Sequence, residues 1–251
     1  MTNDSINGIA QYLEFCNLQV ASEAFLVSKY ELPGAIIGDV LEGTKLKEAL
    51  VKGNDRSSKF TDVQADDFVS KWEVVAHQGN TGTGFSGTLF KAKVAIPEAG
   101  IVEGQYVISF RSTEFIEDSI HDNRATNTLE IKEKGWAFGQ IADMEKWFNE
   151  IKSKIDGPLS VTGYSLGGHL ATAFNILHHG EGLIKDTYTF NGAGVGIVNG
   201  AENSIAETKA GLTQIIQEFS ERKDASLNDA KLAGNFQSSA SGFTSLFEQE
   251  S

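Results

Sequence analysis

Apolar side chains recur at three- and four-residue intervals through residues 5–28, with Ile6, Ile9, Leu13, Cys16, Val20 and Ala24 among them, and this predicts an amphipathic helix. Pro33-Gly34 breaks the pattern, and a second helical stretch is expected from Ala35 to Val51, ending near Gly53-Asn54. Thr61-x-x-Gln64 fits a capping box ahead of Phe68, Trp72 and Val75, which share one helical face. Residues 1–77 are therefore expected to form a helical segment packed on the core, since no linker follows them. The period changes over residues 84–111. Phe85 to Ile96 and Gln105 to Phe110 read as strands joined through Pro97-Glu98-Ala99-Gly100. Ser112 to Glu133 is polar and reads as loop. Ala137, Phe138, Ile141, Met144, Phe148, Ile151 and Ile155 step by helical intervals and predict a strongly amphipathic helix.

Leu159 to Thr162, opened by Pro158, is a short apolar and β-branched run. From Leu166, the residues Leu170, Ala171, Ala173, Phe174 and Leu177 keep helical spacing as far as His178-His179-Gly180, and Asp186 to Asn191 reads as another strand. Alternating strand and helix between residues 105 and 191 predicts an α/β fold, a mostly parallel sheet flanked by helices. Residues 78–200 would be its core, and residues 201–251 a helical lid-like insertion or tail. In that tail Ile205, Leu212, Ile215, Ile216 and Phe219 suit one amphipathic helix, and Asp224 and Asp229 read as solvated carboxylates. The glycines at 192, 194 and 196 have the wrong spacing for a dinucleotide loop, and no helix opens on the last of them.

Composition narrows the partners. The 251 residues carry a formal net charge of −13, which argues against nucleic acid and against adsorption to anionic membranes. Forty per cent of the residues are hydrophobic, with sixteen Phe, enough for a sizeable aromatic-rich core. The lone Cys16 excludes an internal disulfide and reads as a buried thiol. Residues 1–30 have neither a basic start nor an uninterrupted apolar run, and no stretch is long enough for a transmembrane span. The expectation is a protein that stays in the cytoplasm or leaves it without an N-terminal signal.

The candidate chemistry lies where the second half of the chain turns from strand to helix. Gly163-Tyr164-Ser165-Leu166-Gly167 has small residues two before and two after a serine, the pattern of a nucleophile elbow. Such a turn holds its serine in a strained backbone conformation and brings strand and helix too close for a Cβ at either glycine. Gly163 and Gly167 are thus the elbow glycines, and Ser165 is the candidate nucleophile. The N–H of Leu166, at the start of the helix, would face a developing oxyanion.

A serine nucleophile needs a base, normally a histidine held by a carboxylate. His178 and His179 sit at the far end of the predicted elbow helix, thirteen residues and about 20 Å from Ser165 at 1.5 Å per residue. His169, one turn in, reads as a packing or locally hydrogen-bonded residue. His77, ahead of the first strand, reads as a surface or capping residue. His121, in the polar loop, is the one histidine that the strand order would let approach Ser165.

Tyr106-Val107-Ile108-Ser109-Phe110-Arg111-Ser112-Thr113 together with Val161 to Ala171 resembles the class 3 lipase branch of the α/β-hydrolases. The likeness is closest to bacterial lipases and phospholipases that also carry a Gly-Phe-Ser-Gly strand, here Gly84 to Gly87, and it spans roughly residues 60–197. The resemblance implies an α/β-hydrolase fold and a serine-dependent hydrolysis of carboxylic esters, with an acyl ester or lipid as substrate and no cofactor. It implies Thr113 as one oxyanion donor and Leu166 as the other. Ser112 stands where that family has glycine. The family places its aspartate and histidine after later strands, which have no counterpart before Ser251, so the triad is expected to be incomplete here and the chain to be the amino-terminal part of a longer hydrolase or a natural fragment. Relatives often bind calcium, but no EF-hand or glycine-aspartate repeat occurs and no metal site is expected. The alternative reading is a catalytically inactive, hydrolase-like binding module.

Overall fold

The computed structural model describes residues 3–31, 35–54, 59–112, 136–195 and 204–226. A five-stranded sheet organises them, with strands β3 (Trp72–Gln78), β4 (Gly87–Ala92), β5 (Tyr106–Phe110), β6 (Leu159–Tyr164) and β7 (Ile184–Phe190) side by side in chain order. β4 is antiparallel to both neighbours, while β5, β6 and β7 pair in parallel. Four strands therefore run one way and only β4 runs the other. The ends of β3, β5, β6 and β7 consequently share one edge of the sheet, the edge where loops can assemble a site.

Helices cover both faces. The crossovers α4 (Phe138–Ile151) and α5 (Leu166–Leu177) pack on one face, joined there by Leu212 of α6 (Ile205–Ser226). The core of this face includes Phe85, Phe110, Trp147, Phe148 and Phe174, as the aromatic content suggested. α1 (Asn3–Ser22) lies across the other face, over β4 to β7. Its Phe15 ring stacks on Tyr188 of β7 with centroids 3.9 Å apart. α2 (Gly43–Lys52) and α3 (Asp62–Lys71) extend that layer through Leu46, Leu50, Ala65 and Phe68. Cys16, on α1, is half-buried, and burial raises its thiol pKa. No helix among the described residues is long and apolar enough to cross a membrane.

The first 77 residues depart from the all-helical expectation. β1 (Val27–Glu31) and β2 (Ala35–Val40) form a separate antiparallel hairpin, so of the helix expected from Ala35 to Val51 only the part from Gly43 is helical. Ala35-Ile36-Ile37 and Val40 are apolar and β-branched enough to favour a paired strand over a helix. α3 is closed at its start by the expected capping box: Thr61 Oγ1 accepts the Gln64 N–H at 3.3 Å, and Gln64 Oε1 accepts the Thr61 N–H at 3.0 Å. The helix stops at Lys71, and Trp72 opens β3, a strand of the main sheet. Residues 1–77 are thus not a purely helical segment, because their last strand is the first of the core sheet.

The strand expected over Phe85 to Ile96 is also shorter than the apolar run. Gly84-Phe85-Ser86 belongs to the turn between β3 and β4, with Gly84 at φ 85°, and β4 starts at Gly87. The Thr81 N–H bonds to Phe85 O and the Gly84 N–H to Thr81 O, which turns the chain before pairing begins. Thr83 Oγ1 donates to the buried Asp143 Oδ2 of α4 at 2.6 Å, so the turn is tied to the helix layer.

Candidate functional site

Ser165 stands between the last residue of β6 and the first of α5, at φ 52° and ψ −117°. Only Asn191 among the other described non-glycine residues has positive φ. A serine is strained in this region by roughly 1–3 kcal/mol, so the surroundings must impose it. They do so through backbone bonds. The Ser165 N–H bonds to Phe190 O at the end of β7, and Ser165 O accepts from Ala193 N at 3.0 Å and from His169 N at 3.2 Å. Its two neighbouring glycines are both required. A Cβ at Gly163 would lie 2.1 Å from Gly167 O, and one at Gly167 would lie 2.2 Å from Phe110 O. Gly168 is as confined: its Cβ would lie 2.7 Å from the Gly192 Cα, which explains the glycine-rich segment after β7 as a packing surface for the turn.

The serine is partly accessible and Tyr164 beside it is 42% exposed, so the turn faces outward from the sheet edge. Leu166 is the first residue of α5, and first-turn amides of a helix have no acceptor within it. The positive end of the helix dipole therefore points to the serine side of the turn. Thr113 lies outside the described residues, and so does His121. Asp224 falls within α6, as a helical residue, whereas Asp229 lies outside the description.

The remaining histidines are engaged elsewhere. His169 is fully buried: its Nδ1–H donates to Gly194 O at 3.0 Å, and its Nε2 accepts the Ala137 N–H at 3.1 Å. Burial lowers its pKa to about 4, against the weaker opposing pull of the Gly194 and Ala193 carbonyls. His169 thus pins the start of α4 and the segment after β7 to the elbow helix as a neutral side chain. His77 is in β3 rather than ahead of the first strand, and it is buried rather than on the surface. It bonds through Nδ1 to Thr88 Oγ1 at 2.8 Å, while burial and then the Arg111 charge lower its pKa to about 3. His178, at the far end of α5, lies between Glu145 and Glu181, at 3.1 and 2.9 Å. His179 caps the same far end through its N–H to Ile176 O.

One interaction near Ser165 had no signal in the sequence. Glu23, just beyond α1, is buried and meets Arg111 and Ser112 at the end of β5. These residues are 88 and 89 positions apart, and no periodicity links them. A cavity of about 560 Å³ lies at another flank, between the β1–β2 hairpin, β3 and α4, lined by Val27, Val40, His77 and Trp147 among others. No residue of the Ser165 turn lines it, so it does not serve that serine.

Comparison with known protein families, with curated proteins and with solved structures returned no match to this chain.

Proposed function

We propose that the protein is a serine-dependent carboxylic ester hydrolase of lipase or phospholipase type, built on an α/β-hydrolase-like sheet and acting through an acyl-enzyme at Ser165. The observation that carries this reading is the conformation of Ser165. A non-glycine residue is held at φ 52° by glycines that admit no Cβ, at the sheet edge and ahead of a helix N-terminus. Strain of this kind, where three neighbouring glycines make room for it, belongs to a residue whose side chain must be presented. In the reaction Ser165 Oγ attacks the ester carbonyl carbon while its proton passes to a base. The tetrahedral oxyanion forms against the Leu166 N–H and a donor from the segment after β5, for which the lipase resemblance suggests Thr113. Each such donor is worth about 3 kcal/mol. Collapse of the oxyanion expels the alcohol and leaves Ser165 acylated, and water then releases the acid.

His77, His169 and His178 have other partners and His179 sits beyond the far end of α5, so none of the described histidines serves as the base, and His121 or a residue of a longer chain would. If that base lies beyond Ser251, turnover by these 251 residues alone should be slight. The same histidine bonds favour the second reading, a hydrolase-like binding module that keeps the turn as scaffold. A fluorophosphonate probe separates the two. Covalent labelling mapped to Ser165 and lost in Ser165→Ala supports the hydrolase; absence of labelling in the folded protein both with and without a carboxyl-terminal extension supports the scaffold. Nitrophenyl ester assays of the chain with and without a carboxyl-terminal extension then test whether a base is supplied from beyond Ser251.

A further inference from the structure

We propose that Glu23 is a positioning residue for Ser165: from the end of α1 it fixes the main chain at Arg111-Ser112 beside the nucleophile turn. The inference rests on the hydrolase reading. Glu23 is 3% exposed and makes three contacts to those two residues. Its Oε1 accepts the Ser112 N–H at 2.9 Å, its Oε2 lies 3.8 Å from Arg111 Nε, and its backbone carbonyl accepts from Arg111 Nη2 at 2.9 Å. The carboxylate is itself held, since Gln19 Nε2 donates to Oε1 at 2.6 Å. Ser109 of β5 donates to Ser22 Oγ at 3.0 Å, tying the same helix end to the strand two residues before Arg111. On the opposite side Gly167 presses on the same segment, where its Cβ would meet Phe110 O and Arg111 O at 2.2 and 2.9 Å. The chain leaving β5 is therefore gripped between α1 and the elbow helix.

Docking α1 does not require these charges. Phe15, Leu18 and Ala21 already bury its face, and a buried carboxylate–guanidinium pair contributes less to stability than well-packed apolar groups of the same size. What the carboxylate adds is direction, because it bonds to a main-chain N–H next to the carbonyls of Phe110 and Arg111, which press on Gly167 two residues after Ser165. A shift of this segment therefore shifts the nucleophile turn, and a misplacement of about 1 Å costs about 100-fold in rate.

The test is the second-order rate at which a fluorophosphonate labels Ser165 in the full chain, read by intact mass, in the parent, in Glu23→Gln and in Leu18→Ala. Leu18 is fully buried on the same helix and reports loss of packing alone. Glu23→Gln should label about 10- to 100-fold more slowly, with a melting temperature lowered no more than in Leu18→Ala, which should label close to the parental rate. If Glu23→Gln does not fold, Gln19→Ala, which frees the carboxylate, should slow labelling several-fold. Parental labelling rates in the Glu23 or Gln19 variant, or equal slowing in Leu18→Ala, would overturn the positioning role. A parent that does not label at Ser165 with or without a carboxyl-terminal extension overturns the hydrolase reading itself, and the positioning role with it.

Discussion

Gly163 and Gly167 meet across the strand–helix turn so closely that the Gly167 carbonyl oxygen occupies the place of a Cβ on Gly163. Neither partner can move cheaply. Gly163 is paired in β6 with Phe110 and Thr189 on either side, and Gly167 is in the first turn of α5 against Phe110 O. Gly163→Ala and Gly167→Ala should therefore each destabilise the protein by about 3 kcal/mol or more, beyond the usual cost of an added methyl. Gly82→Ala, where no atom lies within 4 Å of the added Cβ, should stay within about 0.5 kcal/mol of the parent. Urea denaturation of the three variants decides it, and a Gly163→Ala protein as stable as Gly82→Ala would mean the turn is not built this way.

The strain at Ser165 has its own consequence for stability. Ser165→Ala removes the hydroxyl but leaves a Cβ at φ 52°, whereas Ser165→Gly removes the strain as well. Relief of roughly 1–3 kcal/mol, set against the extra backbone freedom that glycine brings to the unfolded chain, predicts Ser165→Gly more stable than Ser165→Ala by about 1 kcal/mol. At an unstrained turn position the order reverses. Thermal unfolding of the two variants side by side reads the sign directly.

How far the sequence foretells this arrangement depends on whether local pattern and tertiary pairing agree. Among the described residues between Tyr106 and Phe190 they do: β5 is a short apolar run, β6 and β7 are rich in β-branched and aromatic residues, and each helix keeps its period. Before Gln78 they conflict. Phe68, Trp72 and Val75 keep a helical interval, yet the helix ends at Lys71 and Trp72 has extended angles, φ −126° and ψ 149°. Pairing of Trp72 with Ala92 on β4 overrides the local period there, and nothing near Trp72 in the sequence announces a partner twenty residues on. The turn at Ser165 is legible because its constraint is local, glycines at fixed offsets from one serine. Glu23 and Arg111 are not, because a buried ion pair between distant segments leaves no repeat to read.

His178 joins three helices. Its ring stands 4.4 Å from Phe174 and 4.8 Å from Phe148, and its nitrogens face Glu145 on α4 and Glu181 after α5, while Glu181 also holds Lys209 of α6 at 2.8 Å. Burial opposes its charge, but the hydrogen bonds and charges of the two carboxylates outweigh burial and raise its pKa above 6.5. The folded state thus holds the proton more tightly than the unfolded chain. The stabilisation is complete below about pH 6.5 and is lost as pH rises through the raised value. Glu145→Gln should lower the His178 pKa, followed by the ring carbon-bound proton shifts in NMR titration. An unchanged titration midpoint would remove Glu145 from this cluster.

His77 and His169 act in the opposite sense and should dominate the acid limb of stability. Both are buried as neutral rings, with pKa values lowered to about 3 and about 4, whereas the unfolded chain binds a proton at each near 6.5. Above pH 6.5 neither state is protonated at these sites, and their neutral hydrogen bonds to Thr88, Ala137 and Gly194 contribute fully. As pH falls from 6.5 towards 4, the unfolded state gains protons that the folded state refuses, at up to about 1.4 kcal/mol per pH unit for each ring. Stability should therefore drop by about 3 kcal/mol between pH 7 and pH 5, partly offset by the proton that His178 gains. His169→Asn should be less stable at pH 7, through loss of the bonds that pin α4 and the segment after β7 to the elbow helix. It should also lose about half of the pH dependence. Urea midpoints at pH 7, 6 and 5 for parent and variant measure both effects. A parent and a His169→Asn variant whose midpoints change equally between pH 7 and pH 5 would show that His169 takes up its proton in the folded state, and that the elbow helix is not held by a neutral histidine.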